Sequence, residues 1–389
     1  MYFRSLLAAA AAVTTATVLI VAGLPSAGLA DGLPKKSTWT AYGTTSSGYA
    51  QSLAIGNMLK KHHGTSVRII PGKNDISRMA PLRDGKADYC ACGIASFFGS
   101  EGVFLFGDEA WGPQPIRLVM SNSGSFNLAV ATAADAGIKT LADMKGKRVI
   151  WVQGGDALNW NVGAHMAFAG LGWGDVKKVV VSGFKQSFEA IVNGQADAAF
   201  TSTVSPVTKQ LAASPRGLHW PPLPHDDAAG WKRTGAVAPV YLKNNGTIGT
   251  NLSKDKPHVG ATYPYPLLVT NASHSADEVY ALTKSMVDHY NDYKDGAKGA
   301  KGWIISKQKM KYAMPYHDGA IRYWKEKGMW TADVQAHHEA LLKRQGVIAG
   351  AWKAYKAANK GKDKDAYKAG WTTARAAALT GAGMDPIFK

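Results

Sequence analysis

Two polar loops carry the residue types that can hold a small charged molecule. The first, Gly43 to Gly48, sets Thr44, Thr45, Ser46 and Ser47 directly before Tyr49 and a helical run. Hydroxyls and the open backbone N–H groups of a helix start suit a carboxylate, and such binding needs no catalytic group. A Gly/Ser turn that only caps the helix is an equally simple reading. The second loop, QGGDALNW from Gln153 to Trp160, again lies between a strand and a helix. Gly154 and Gly155 permit close backbone approach, while Asp156 reads first as a helix cap and second as a group that discriminates a substrate amino or hydroxyl. A phosphate loop would need a Gly-Lys-Ser or Gly-Lys-Thr ending, which is absent, and the dinucleotide fingerprint is incomplete. No cofactor is expected.

Groups for catalysis or metal binding are sparse. His62-His63 follows a helix and His337-His338 lies within one, so the members of each pair point apart and read as solvated. His317, followed by Asp318 and Gly319, reads as the cap of a helix ahead of a catalytic base. There is no Gly-x-Ser-x-Gly elbow and no His-Glu-x-x-His zinc motif. Cys90 and Cys92 alternate along a strand, a spacing that holds their Cβ atoms too far apart for a relaxed bridge, so two buried thiols are expected. No further ligands flank them for a metal site. Lys73, Arg78 and Lys185 sit in loops or at helix starts and are candidate partners for an anion. Trp160, Tyr263 and Tyr265 fall where loops meet between domains, where rings can cover the apolar body of a ligand.

The elements that must position these residues alternate. Strands at 38–41, 67–70 and 88–93 are separated by helices at 49–62 and 75–83. A second cycle runs through strands at 148–152, 178–182 and 196–200 with helices at 157–169 and 184–193. Alternation of this kind predicts parallel sheets covered by helices, with ligands bound beyond the carboxyl ends of the strands. The Pro-, Gly- and Trp-rich stretch 215–257 reads as irregular. After it come an extended run at 261–270 and helices near 276–293 and 332–345, which predict a return of the chain to the first domain. From Gly346 an Ala-, Lys- and Tyr-rich segment reads as a helical extension.

Composition narrows the class. In a chain of 389 residues, 46% hydrophobic and 19% charged content fits a folded globular protein of two domains. The first 30 residues have a short basic start, an apolar middle and small residues at Gly28 and Ala30, the pattern of a secretory signal peptide cut before Asp31. Its removal lowers the formal charge from +17 by the single Arg4. Secretion argues against nucleic acid as the partner of this basic chain, and its lysines are scattered rather than blocked. With a free leader and no cysteine at the cut, the expectation is a soluble, monomeric periplasmic protein. The expected division is residues 31–125 and 263–345 in one domain, 126–262 in the other, and 346–389 as the extension.

Five segments then occur in a recognisable order: GTTSSGYAQSLAIGNMLKK, DGKADYCACGIAS, LADMKGKRVIWVQGGD, VNGQADAAFTS and MPYHDGAIRYWKEKG. Together, over roughly residues 38–330, they resemble the TAXI family of TRAP transporter solute-binding proteins. The resemblance implies an α/β, two-lobed type II periplasmic binding fold, built from two Rossmann-like domains joined by a two-segment hinge. It implies closure on a small organic anion or amino acid and delivery to TRAP membrane subunits, without catalysis. Matched ligand positions are Thr45, Ser46, Ser47 and Tyr49, then Gly93, Ile94 and Ala95, then Gly154, Gly155, Asp156 and Asn159, and finally Thr201, Ser202 and Thr203. Trp160 and Tyr263 join them as aromatic lining. Members of the family place Gln-Ser-Asp where this chain has Gly93-Ile94-Ala95, and Gly-Ser-Gly-Thr where it has Gly-Gly-Asp-Ala before Trp160. Both departures remove side-chain hydrogen bonds and imply a more apolar solute. Two other readings remain open: a binding module that signals to a membrane sensor, and a secreted enzyme using His317 or Asp156 in acid/base work.

Overall fold

The computed structural model describes residues 32–388, so the expected leader and its cut after Ala30 lie outside the described residues. Within them, no helix is long and apolar enough to cross a membrane. The chain first lays down β1 (Lys36–Tyr42), α1 (Ser47–His63), β2 (Ser66–Gly72), α2 (Asp75–Arg83), β3 (Tyr89–Cys92), α3 (Ala95–Glu101) and β4 (Ile116–Ser121). It then builds β5 (Leu128–Ala133), β6 (Arg148–Val152), α4 (Asp156–Phe168), β7 (Lys177–Val181), α5 (Phe184–Val192), β8 (Ala198–Ser202), α6 (Val207–Ala213) and β9 (Leu218–His219). After these come α7 (Ala228–Val237), β10 (Leu242–Gly246), β11 (His258–Thr262), β12 (Leu267–Asn271), α8 (Ala276–Asp288), α9 (Tyr290–Tyr293), α10 (Asp318–Glu326), α11 (Ala332–Ala358) and α12 (Lys364–Gly381).

Two five-stranded sheets result, β2-β1-β3-β12-β4 and β7-β6-β8-β5-β9, with a separate β10-β11 ribbon. Each sheet is the core of one lobe of a two-lobed α/β fold. The sheets are mixed rather than wholly parallel. In the first, β1 runs parallel to β2 and β3, while β12 runs antiparallel to β3 and β4. In the second, β6 runs parallel to β7 and β8, while β5 runs antiparallel to β8. The physical reason lies in the crossings: β5 and β12 are the first strands laid down after the chain changes lobes, so they start at the side where their neighbours end. Residues 122–127 and 263–266 make the two crossings, and they hydrogen-bond to each other. The Tyr265 N–H donates to the Asn122 carbonyl (2.7 Å), and the Asn122 N–H donates to that of Pro266 (3.0 Å).

Local chemistry sets the helix starts that face the space between lobes. The Ser46 hydroxyl caps α1 by accepting from the Tyr49 N–H, and Asn74 and Ser77 form a reciprocal capping box at α2. Strand β3 is buried on both faces, as a central strand covered by helices on either side must be.

Other expectations also need correction. Cys90 and Cys92 are joined by a disulfide rather than left as thiols. Their Cα atoms are 5.3 Å apart, inside the range a bridge spans, because the strand contracts at its end instead of staying fully extended. The stretch 215–257 is not irregular throughout, since it contains α7 and β10. Helix α7 buries little beyond Gly230 and Thr234, so it shows no apolar periodicity. The C-terminal extension does not begin at Gly346, because α11 runs unbroken through that residue. Helices α11 and α12 pack around Ile348, Trp371 and Leu379 and lock onto the end of α3. There the buried Arg375 donates to the carboxylate and carbonyl of Glu101 and to the carbonyls of Pro386 and Phe388. Arg344 makes a second, two-pronged pair with Glu101 at 2.7 Å.

Candidate functional site

Where the carboxyl ends of the two sheets meet, the lobes close on a small cavity of about 30 Å³. Its apolar wall is aromatic, made by Tyr42 and Tyr265 from the first lobe and its crossing and by Phe184 and Phe200 from the second, with Leu128, Leu158 and Ile94 between them. Its polar wall comprises Arg78, Asn161, Thr201, Ser202, Ser205 and Tyr263.

Arg78 dominates the electrostatics. The first turn of α2 buries Asp75 and Arg78 together; Nη2 of the arginine donates to Oδ1 of the aspartate at 2.7 Å, and the guanidinium lies 3.7 Å over the Tyr42 ring. The Tyr42 hydroxyl donates to the same carboxylate oxygen (2.5 Å), while the other oxygen accepts from the Ala157 N–H at the start of α4 (2.7 Å). Burial alone would lower the Arg78 pKa, but the fields of Tyr42 and Asp75 outweigh it and raise the value, holding the side chain charged. Burial also pushes the Tyr42 phenol well above its usual range, so it stays a donor. Nε and Nη1 of Arg78 are buried without a protein partner. A charged side chain that is 1% exposed with two unmet donors beside a cavity is costly unless something in the cavity accepts from them.

The lobes touch around this cluster. The Asp75 N–H donates to the Gly154 carbonyl (3.0 Å), the Phe184 N–H to that of Lys73 (2.9 Å) and the Val207 N–H to that of Thr45 (3.2 Å). Phe184 stacks on Tyr42 at 5.5 Å. Gly154 has φ +73° and would place a Cβ 2.5 Å from the Asn74 amide, so only glycine permits this approach. The geometry is that of a closed cleft.

Of the loop and aromatic residues singled out from sequence, Gly93, Ile94, Thr201, Ser202, Tyr263 and Tyr265 line the cavity. A Cβ at Gly93 would meet the Tyr265 ring at 2.9 Å, so glycine makes room for that ring. Thr45, Ser46, Ser47 and Tyr49 stand one layer back at the start of α1, with Ser46 spent on the cap. Ala95 opens α3 and is buried. Gly155 is the N-cap of α4, and Asn159 is turned away, clamping both backbone groups of Val152 with its amide. Thr203 is structural, donating to the Ile248 carbonyl. Trp160 stacks near Tyr241, outside the cavity.

Asp156 does not cap α4. Its carboxylate crosses to the other lobe and accepts from the Leu105 N–H at 2.8 Å, beside a separate groove lined by Phe104 and Trp151. Burial there, with a smaller contribution from Asp75, raises its pKa to about 6. Among the candidate cations only Arg78 reaches the cavity; Lys73 is exposed and Lys185 pairs with Glu189. His317 caps α10 through the Gly319 N–H and does not line the cavity, and no lining hydroxyl has an imidazole or amine hydrogen-bonded to it. Neither residue of the enzymatic reading stands at the site.

Sequence reasoning passed over Tyr42, Phe184, Phe200 and Asn161. Asn161 accepts from the hydroxyls of Tyr241 (2.5 Å) and Tyr263 (3.2 Å) and so fixes the rear wall. The available signal was position: Tyr42 ends β1 directly before the first polar loop, and Phe184 opens α5.

A family profile described as the NMT1-like family matches residues 101–328, more than half the chain, so the chain belongs to that family. No curated protein matches it. Among solved structures, a periplasmic binding protein of an ABC transporter from Brucella ovis with glutathione bound is 11% identical. It covers 66% of this chain and 69% of its own at a TM-score of 0.43. The alkanesulfonate-binding protein of Xanthomonas axonopodis pv. citri bound to MOPS is 12% identical, covering 79% and 95%, with a TM-score of 0.41. An ancestral arginine-binding protein bound to arginine is 15% identical, covering 70% and 99%, with a TM-score of 0.40.

Proposed function

We propose that this member of the NMT1-like family is a periplasmic solute receptor that closes its two lobes on a small organic anion and passes it to membrane transport subunits. The observation that supports this most is Arg78: a buried guanidinium with Nε and Nη1 unmet, set in an aromatic cavity between two lobes. A carboxylate would accept from those donors, and Tyr42, Phe184, Phe200 and Tyr265 would cover its apolar body. The resemblance of the five sequence segments to TAXI proteins supports TRAP subunits as the membrane partner. The few side-chain hydrogen bonds around Gly93 and Ile94 support a solute more apolar than glutamate.

The test is a thermal-shift panel on ligand-stripped mature protein with aliphatic, aromatic and keto carboxylates, amino acids and, as controls, matched neutral amides. A true solute at 100 times its Kd adds about 2.7 kcal/mol of stability. Shifts given by carboxylates and absent for the amides support the reading. Equal shifts for acid and amide would overturn the assignment of Arg78, and a hydrolysed panel member would overturn the receptor reading.

A further inference from the structure

Far from the cavity, the C-terminal turn of α1 brings His62 and His63 against the junction of α8 and α9, which carries His289 and Asp292. Nε2 of His62 lies 2.9 Å from Oδ2 of Asp292. The rings of His62 and His289 are stacked with centroids 3.7 Å apart and planes 14° from parallel. The His63 ring stands 5.6 Å from that of His289, with its Nε2 on the Ser285 hydroxyl at 2.8 Å. One ligating atom from each of His62, His289 and Asp292 falls within 4.8 Å of the others, although His62 and His289 are 227 residues apart in sequence.

From this convergence we propose a surface site for a divalent transition-metal ion, Zn²⁺ in particular, ligated by His62, His289 and Asp292. Two imidazoles and one carboxylate suit a borderline ion; Ca²⁺ and Mg²⁺ demand oxygen ligands and are excluded by this set. Three protein ligands leave the fourth tetrahedral position to water. The lone pair of an imidazole lies in its ring plane, so ligation requires the stacked rings to splay by rotation about χ2. Both rings border solvent, which leaves room for that rotation. Asp292 also carries Lys61 on its other oxygen at 2.6 Å, and the Lys61 side chain, 63% exposed, swings out when a cation arrives. A bound ion would clasp α1 to α8 and α9, two parts of the first lobe that are joined through the whole of the second.

The experiment uses full mature protein without a histidine tag, titrated with Zn²⁺ by calorimetry and by equilibrium dialysis with elemental analysis. The proposal requires one ion per chain, a rise in Tm with Zn²⁺ and no response to Mg²⁺. H289F keeps a ring in the stack but removes the ligand, and D292N removes the charge. Each should weaken Zn²⁺ binding by about tenfold or more while leaving the metal-free Tm within a degree or two. His225→Phe, distant from the cluster, should bind as the wild type does. Absence of Zn²⁺ binding at 100 times the protein concentration, or stoichiometric binding unchanged in H289F and D292N, overturns the proposal.

Discussion

Replacing Asp156 by asparagine should make the protein more stable at neutral pH and leave it unchanged in acid. With the lobes together the acid is pushed to about 6, first by burial and then by Asp75, against the opposing pull of the Leu105 N–H and Lys368. In an unfolded chain it titrates near 3.9. A folded pKa raised above the unfolded one favours the protonated acid. That stabilisation is fully present below about pH 4 and is lost as pH rises through 6. The gap of about two units corresponds to roughly 2.8 kcal/mol. The carboxylate borders a groove, and solvent screening reduces the figure to about 1–2 kcal/mol. Asparagine keeps an oxygen for the Leu105 N–H and carries no charge at any pH. With unfolding entropy near 2.1 cal/mol/K per residue over roughly 360 residues, D156N should melt about 1.3–2.6 °C above wild type at pH 7.5. The two should coincide near pH 4. Melting curves across pH 4 to 8 in matched buffers measure this directly. A difference that is absent at pH 7.5, or the same at both ends, refutes the placement of Asp156 as a part-buried, charge-strained link between lobes.

Two further outcomes follow from buried arginines. Arg78→Met leaves Asp75 buried without its cation and should cost about 3–5 kcal/mol of stability, whereas Arg78→Lys keeps the charge but not the fork and should weaken carboxylate binding by about tenfold or more. Calorimetry with a hit from the panel separates the two, and undiminished affinity in both variants would contradict the site. Arg375→Met should free α12 and the tail from α3, at a cost of about 3–5 kcal/mol, and expose residues 359–363 to protease and hydrogen exchange. Wild-type protection there would refute the locking role of Arg375.

The alternation of strands and helices made the α/β class readable, helped where helix starts carry local instructions: Ser46 before α1, and Asn74 with Ser77 at α2. The antiparallel insertion of β5 and β12 was not readable, since strand direction depends on which lobe the chain has just left. Helix α7 escaped notice because its fully buried residues are Gly230 and Thr234 rather than a periodic set of large apolar ones. Glycines and small hydroxyls near the strand ends stood out by type, and Gly93, Thr201 and Ser202 do border the cavity. Arg78 looked like one cation among three. Only the fold shows that Tyr42 and Asp75 enclose it while Lys73 and Lys185 stay in solvent. Asp156 resembled a cap by position, yet its partner is 51 residues away in the other lobe.

The strand order of the first lobe has a consequence for how the protein is made. β4 reaches the rest of its sheet only through β12, and β3 likewise meets β12 rather than β4. A chain emerging from its amino end therefore completes β1, β2 and β3 and then lacks the wedge that joins β4 to them until residues 267–271 appear. The second lobe has no such wait, because all its strands fall between Leu128 and Thr262. It can condense first, while the edges of β3 and β4 stay open as sticky templates. The first lobe must then close around a late-arriving strand, and pairings of such high sequence separation form slowly. A newly made molecule would thus hold a finished half and an unfinished one, and would need protection from self-association until β12 slots home.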